Sequence, residues 1–341
     1  MTDNRPLLAI TMGDPAGIGP EVVLKTLQHA DVFEKCRPLV LGDRRVLERA
    51  KSWLSIDLLD FERVDSPADA SFRAGTIPLL DLANAGPNEC PVAQVTAIAG
   101  RAAVEYVCRG CDMALEGIVD AVVTAPLNKE SMNLAGFHYA GHTELLAERT
   151  KAEKISMLLV GPKFRVIHVS VHVSLEEAVR RVKKERVEEV IDLAHNSCRM
   201  LGLERPRIAI AGLNPHASEG GLFGSQEQEE IVPAIEAARS RGLDVSDPQP
   251  GDTVFLAAVN GKYDIVVAMY HDQGHIPMKL LSFDTGVNVS IGLPIIRTSV
   301  DHGTAFDIAG TGVADESSLI AAIDVAIQMV NARDQTTTKT G

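Results

Sequence analysis

Aromatic residues are scarce: they make up 4% of the 341 residues, with one tryptophan, Trp53. A stacking platform for single-stranded nucleic acid needs aromatic faces in series, so that class is excluded. Basic residues are outnumbered, 33 Lys and Arg against 46 Asp and Glu, for a net charge of −13. Such a chain does not bind a phosphate backbone by default, so no nucleic-acid partner is expected and any anionic ligand must be caught at a local site. No apolar run reaches the length of about 18 residues that spans a bilayer. The opening MTDNRPLLAITMGDP lacks a basic stretch followed by an apolar one and a cleavage site. A cytoplasmic location with no membrane partner is the expectation. Cysteine is sparse and odd in number: Cys36, Cys90, Cys108, Cys111 and Cys198. A disulfide framework is therefore not expected. Cys108 and Cys111 form C-x-x-C inside an amphipathic helical stretch and read as two helix thiols.

What is present is an alternation of short apolar runs with amphipathic ones. Strands are predicted at Leu7–Thr11, Pro38–Leu41, Ala121–Thr124, Ser156–Leu159, Val166–Val171, Arg207–Ala211 and Ile265–Met269. Helices are predicted at Pro20–His29, Arg44–Lys51, Val92–Leu115, Leu145–Thr150, Leu175–Leu201, Gln226–Arg241 and Glu316–Asn331. The alternation predicts an α/β fold with a mainly parallel sheet and crossover helices. The length suits two α/β lobes or one large sheet. Residues 245–253 and 283–294 read as turn-rich. The Ala125-Pro126 step suggests a boundary, and the polar tail lacks periodicity. The expected division is 1–125 plus 300–332 as a first, cofactor-side lobe. Residues 126–299 form a second lobe with the metal and dimer contacts, and 333–341 a flexible tail.

Four features carry chemistry. GDPAGIGPE (13–21) lies between a predicted strand and a predicted helix, where glycines let backbone N–H groups approach a ligand. Its spacing matches neither common nucleotide fingerprint, and a plain tight turn is the competing reading. His172, His216 and His271 each follow a strand-like run, and ligands of open α/β sheets sit beyond the carboxyl ends of strands. Three imidazoles there can converge on one divalent cation with an open position for substrate; hydrogen-bonded polar histidines are the alternative. His168, four residues before His172, reads as ligand, outer support or packed histidine. GHTE (141–144), Lys279, Asn288 and Arg297 offer the point charge, fork and amide that a phosphomonoester or carboxylate needs, or are solvated surface groups. Thr143 is placed like a helix N-cap. DHGTAFDIAG (301–310) is a polar glycine-bearing loop that caps a helix or lines a ribose pocket.

GDPAGIGPE, TAPLNKE (124–130), GHTELL (141–146), GLNPHASEGGLFG (212–224), AMYHDQGHIP (268–277) and GLPIIRTSVDHGTAFDIAG (292–310) together resemble the 4-hydroxythreonine-4-phosphate dehydrogenase family over residues 7 to 330. The resemblance implies a two-lobed α/β fold like that of isocitrate and isopropylmalate dehydrogenases, with the active site in the cleft between lobes. It also implies a homodimer whose sites are shared across the interface. The activity implied is NAD-dependent oxidation of the 3-hydroxyl of a 4-phosphorylated C4 hydroxy acid, followed by decarboxylation. One divalent cation (Zn, Mg, Mn or Co) assists, in service of pyridoxal phosphate biosynthesis. By the same resemblance His172, His216 and His271 are metal ligands, at least one of them reaching the site from a second subunit. His142, Thr143, Lys279, Asn288 and Arg297 bind the substrate and its phosphate. Asp252 is an acid near the metal, and either it or Lys279 is the catalytic proton relay. His302, Gly303 and Asp307 belong to the cofactor loop. Asn128, Glu130, His275 and Phe306 depart from many family members and look closer to a sister group acting on 4-phospho-D-threonate or 4-phospho-D-erythronate. A third relative, acting on aromatic cis-dihydrodiols, lacks the GHTE that this chain has. Two other readings compete on the residues alone: a metal-dependent hydrolase, and a non-catalytic phosphometabolite-binding protein.

Overall fold

The structure, a computed structural model, describes residues 3–54, 56, 59–282 and 284–340. Residue 283 of the predicted turn-rich stretch, residue 341 of the predicted tail and residues 1, 2, 55, 57 and 58 of the first predicted lobe lie outside the described residues. In chain order the strands are β1 (Leu7–Thr11), β2 (Arg37–Gly42), β3 (Asp60–Arg63), β4 (Thr76–Asp81), β5 (Ala121–Thr124), β6 (Ser156–Val160), β7 (Arg165–His168), β8 (Ile208–Ala211), β9 (Val245–Gln249), β10 (Ile265–Ala268), β11 (Val287–Ile291) and β12 (Arg297–Val300). The chain divides into two compact units. One comprises Met1–Ala152 and Leu293–Asn331, the other Glu153–Gly292 and Ala332–Gly341.

The first unit orders its strands β3-β4-β2-β1-β5-β12, and every pairing is parallel. Its central strands read LLAIT and AVVT and are buried at every position, as a parallel sheet covered on both faces requires. The second unit orders its strands β11-β6-β7-β10-β8-β9. Strands β7, β10, β8 and β9 run parallel, while β11 and β7 pair with β6 in the antiparallel sense. Its core gathers Leu159, Val166, Ala209, Val266, Ala268 and Met278 under the edge-on pair Phe164 and Phe255.

The division differs from the one the sequence suggests. Residues 126–152 and 293–299 pack with the first unit, because Ala125-Pro126 only turns the chain after β5. Leu127, Met132, Leu145, Leu146 and Ile295 then join Val104, Val107 and Val122 in one core. Helical backbone also continues to Thr340, through the stretch without periodicity. Helix Ala97–Leu115 and helix Lys129–Leu134 touch at a glycine: a Cβ on Gly100 would stand 2.0 Å from the Ser131 carbonyl oxygen. Gly100→Ala therefore forces the two helices apart. We expect a destabilisation of about 3 kcal/mol despite the gain in helix propensity, read as a melting temperature lower by about 6 °C or more. An unchanged melting temperature would mean that the helices are not in this contact.

Candidate active site

The three strand-end histidines occupy equivalent places. β7, β10 and β8 are neighbours in one parallel ladder. Beyond their carboxyl ends come His172, His271 and His216, each within a few residues of the strand. His271 opens helix His271–Ser282, and its ring lies 5.9 Å from that of His172. Its Nδ1–H donates to Asp272 Oδ1 at 2.7 Å, which leaves the Nε2 lone pair as the available donor. His172, His271, Tyr270 and Asp272 line a cavity of about 440 Å³. His216 and Asp252 line a second one of about 660 Å³, which shares Tyr270 and Asp272 with the first. Of the three strand-end histidines, His172 and His271 thus share one cavity, and His216 lines the adjoining one. Among the described residues no group of three His, Cys, Asp or Glu side chains is close enough to hold an ion.

His216 stands in an unusual turn. His216, Ala217, Ser218, Glu219 and Gly220 all have positive φ, between 46° and 69°. For the four with a Cβ, left-handed backbone costs roughly 1–2 kcal/mol each. Neighbours hold the turn in place. Buried Glu227 accepts from the backbone N–H and from Nδ2 of Asn214, both at 2.8 Å, and Gln228 Nε2 donates to Ser218 Oγ at 3.0 Å. Glu227 starts a π-helical turn, Glu227–Ile231, that the sequence reading merged into one helix.

Two further histidines back the pair. His168, the last residue of β7, is fully buried and donates Nδ1–H to the Met157 carbonyl at 3.2 Å. His275 stacks on His271 with ring centroids 3.6 Å apart. Burial first, and the other histidines second, push His168 down to about 3 and His275 down to about 4. Both are therefore neutral in the fold, whereas the unfolded chain takes up protons near 6.5. The metal-free protein should hold its stability above about pH 6.5 and lose about 1.4 kcal/mol per pH unit per histidine as pH falls from there toward 4. Denaturant titrations at pH 7.5, 6 and 5 measure this, and equal stabilities would refute it.

The anion candidates separate. Arg297 opens β12, is 2% exposed, and donates from Nη2 to Thr124 Oγ1 at 2.6 Å. Burial lowers its pKa to about 9, opposed by the nearby Glu144 carboxylate, so it stays cationic at neutral pH. His142 opens helix His142–Thr150 behind Gly141. Burial, then the charges of Arg297 and Lys129, hold its imidazole well below the usual range. Its shielded Nε2 has no hydrogen-bond partner among the described residues. Thr143 is the second residue of that helix rather than its cap, because Gly141 occupies the cap position in extended backbone. Lys279 is exposed two turns beyond His271 on helix His271–Ser282. Asn288 lies in β11 opposite Leu159 and reaches Met157 Sδ with Nδ2 at 2.9 Å.

The glycine-rich turn and the 301–310 loop prove to be one assembly. The Ile18 N–H donates to the Thr304 carbonyl at 3.1 Å, and a Cβ on Gly17 would meet Thr304 at 2.8 Å. Fully buried Glu21 accepts from the Gly310 and Gly312 amides at 2.6 and 2.8 Å. His302, Gly303 and Asp307 thus stand on a loop pinned at both ends, with Gly303 and Asp307 exposed. Asp14, in the same turn, is pushed up to about 6 by burial, although its Oδ1 accepts from the Ala16 N–H at 2.8 Å. Burial pushes the Cys111 thiol up to about 11 and raises Cys108 too, which leaves the C-x-x-C as unreactive helix thiols.

A family profile described as pyridoxal phosphate biosynthetic protein PdxA matches residues 34–326. A D-threonate 4-phosphate dehydrogenase of Cupriavidus necator is 47% identical over 334 residues, spanning 98% of this chain and 100% of that one. The crystal structure of a 4-hydroxythreonine-4-phosphate dehydrogenase from Klebsiella pneumoniae superposes with a TM-score of 0.88 at 45% identity, covering 97% of this chain and 99% of that one. Isocitrate dehydrogenase of Methylococcus capsulatus, 14% identical with a TM-score of 0.50, covers 96% of this chain and 87% of its own, and shares the fold.

Proposed function

Because the chain belongs to the PdxA family of pyridoxal phosphate biosynthetic proteins and is an oxidoreductase acting on CH–OH groups, we propose that it oxidises the 3-hydroxyl of a 4-phosphorylated C4 hydroxy acid with NAD and a divalent cation. Loss of CO2 follows, since the new ketone is an electron sink for the departing carboxylate. The observation that carries this reading is the placement of three imidazoles beyond the carboxyl ends of neighbouring parallel strands β7, β10 and β8.

The donor chemistry fits a divalent cation. Neutral imidazole suits Zn or Co, and His271 already commits Nδ1 to Asp272. His172, His271 and His216 would hold the cation, which when bound would supply Lewis acidity toward the substrate hydroxyl. His302, Gly303 and Asp307 would hold NAD on their loop, and the cofactor would supply the hydride acceptor when bound. Arg297 binds the phosphate with a fork kept in register by Thr124, and neutral His142 adds a donor. Thr143, Lys279 and Asn288 bind the substrate and its phosphate with them, and Lys279 or Asp252 moves the hydroxyl proton.

A second copy of the chain completes the site. Ile276 and Leu280, 57% and 80% exposed, lie one turn apart on the wall of the cavity that holds His216 and Asp252, and Leu256 nearby is 64% exposed. Apolar surface at the mouth of an incomplete ligand set favours a homodimer that shares its sites. Among the described residues no helix is long and apolar enough to cross a membrane. The five free cysteines suit a reducing, cytoplasmic compartment.

Relatives named D-threonate 4-phosphate dehydrogenase and 4-hydroxythreonine-4-phosphate dehydrogenase are both 47% identical to this chain, so the sister substrate, 4-phospho-D-threonate or 4-phospho-D-erythronate, stands beside 4-phosphooxy-L-threonine and a substrate panel decides. The test presents metal-loaded enzyme with 4-phosphooxy-L-threonine, 4-phospho-D-threonate and 4-phospho-D-erythronate, each with NAD and NADP, and reads reduced nicotinamide absorbance. Turnover of at least one phospho-acid with NAD, abolished by a chelator, is expected. Silence on all three refutes the proposal.

A further inference from the structure

The histidine group contains a side chain that the reaction above does not use. His275 is 6% exposed, and its ring lies flat against His271, the planes only 11° apart. Its Nδ1–H donates to the His271 carbonyl at 3.0 Å, one helical turn back, which fixes the ring's rotation. Behind it stands the buried ring of His168, 4.7 Å away and itself fixed by the Met157 carbonyl. Gly274 makes this depth possible, since a Cβ there would come within 2.4 Å of His168 Nε2. A leucine or phenylalanine would fill the same volume without burying ring nitrogens, and His168 Nε2 is left without a hydrogen-bond partner among the described residues. Two imidazoles packed into the core thus serve poorly as filler, because buried polar atoms carry a desolvation cost.

We infer that His275 is a positioning residue for His271. Its ring face, backed by His168, holds the His271 imidazole in the orientation in which Nδ1 reaches Asp272 and Nε2 stays available to a metal. His271 is partly exposed and would otherwise sample several rotamers, so fixing it beforehand removes an ordering cost from metal binding. The inference rests on the reading of His271 as a metal ligand.

The test is a Co(II) titration of the metal-free, full-length protein, followed by visible absorption. His275→Ala should weaken Co(II) binding about 10-fold or more and alter the absorption band, in line with the 10–100-fold typical of groups that orient metal ligands. A merely structural role would lower the melting temperature and leave both the dissociation constant and the band unchanged, and that result overturns the inference. If the alanine variant does not fold, His275→Leu fills the volume without a ring face. It should show the same weakening, and wild-type affinity there is equally fatal. His271→Ala separates the two claims. If it binds Co(II) like wild type, the ligand assignment falls. If it loses Co(II) while both His275 variants keep it, the assignment stands and the positioning role falls.

Discussion

Turnover of the His271→Ala variant is expected to fall about 10³-fold or more below wild type, with the metal-free melting temperature nearly unchanged. The side chain sits at the start of a helix and on a cavity wall, so its removal leaves little void. What it removes is an imidazole whose Nδ1 is already committed to Asp272. On the proposed reading the cation would lose a ligand and with it several kcal/mol of its Lewis-acid contribution, and about 4 kcal/mol corresponds to a factor of about 10³. Parallel metal analysis should find the variant depleted after dialysis. A variant that turned over normally with a full metal complement would remove His271 from the site.

Arg297→Lys is expected to raise the KM for the phospho-acid about 30–100-fold while kcat changes only a few-fold. The guanidinium is almost wholly buried and tied to Thr124 at 2.6 Å, so its fork is set before any ligand arrives. Lysine keeps the charge but loses the paired parallel bonds, and a charged hydrogen bond contributes about 2–3 kcal/mol. Phosphate lies away from the reacting carbon, so the interaction is lost equally from ground and transition states and appears in KM. Steady-state kinetics at saturating NAD decide this. A fall in kcat at constant KM would assign Arg297 to the chemical step instead.

Several elements escaped the sequence reading for identifiable reasons. Strand β9, VSDPQ, reads as a turn because it is polar and contains Pro248, yet it pairs on one side only, with β8, where a missing N–H is tolerated. Strand β11 hides in a stretch punctuated by Gly286, Asn288, Gly292 and Pro294, and its pairing with β6 supplies the order that local propensity does not. Helix His271–Ser282 contains Gly274 and Pro277, both helix breakers in isolation, and packing against β7 and β10 overrides them. That helix carries His271, His275 and Lys279, so the missed element was also rich in candidate site residues. The run 175–201 breaks into helices Leu175–Arg181 and Lys184–Met200 at Val182 and Lys183.

The order of apolar and polar runs by itself determined an α/β chain with a parallel core. The glycine-bearing motifs determined the family, and three histidines after strand-like runs marked where ligands gather. Those signals are local, since each needs only a few neighbours along the chain to be read. Tertiary structure alone decided that the three strands lie side by side, and that Glu21 and Ile18 weld the first glycine turn to the 301–312 loop nearly 300 residues on. It alone also decided that His275 stacks on His271 with the tilted ring of His168 behind it. Those facts depend on which distant groups burial forces together. A buried carboxylate or imidazole must find its hydrogen-bond partner wherever the fold offers one, and spacing along the chain does not encode that choice.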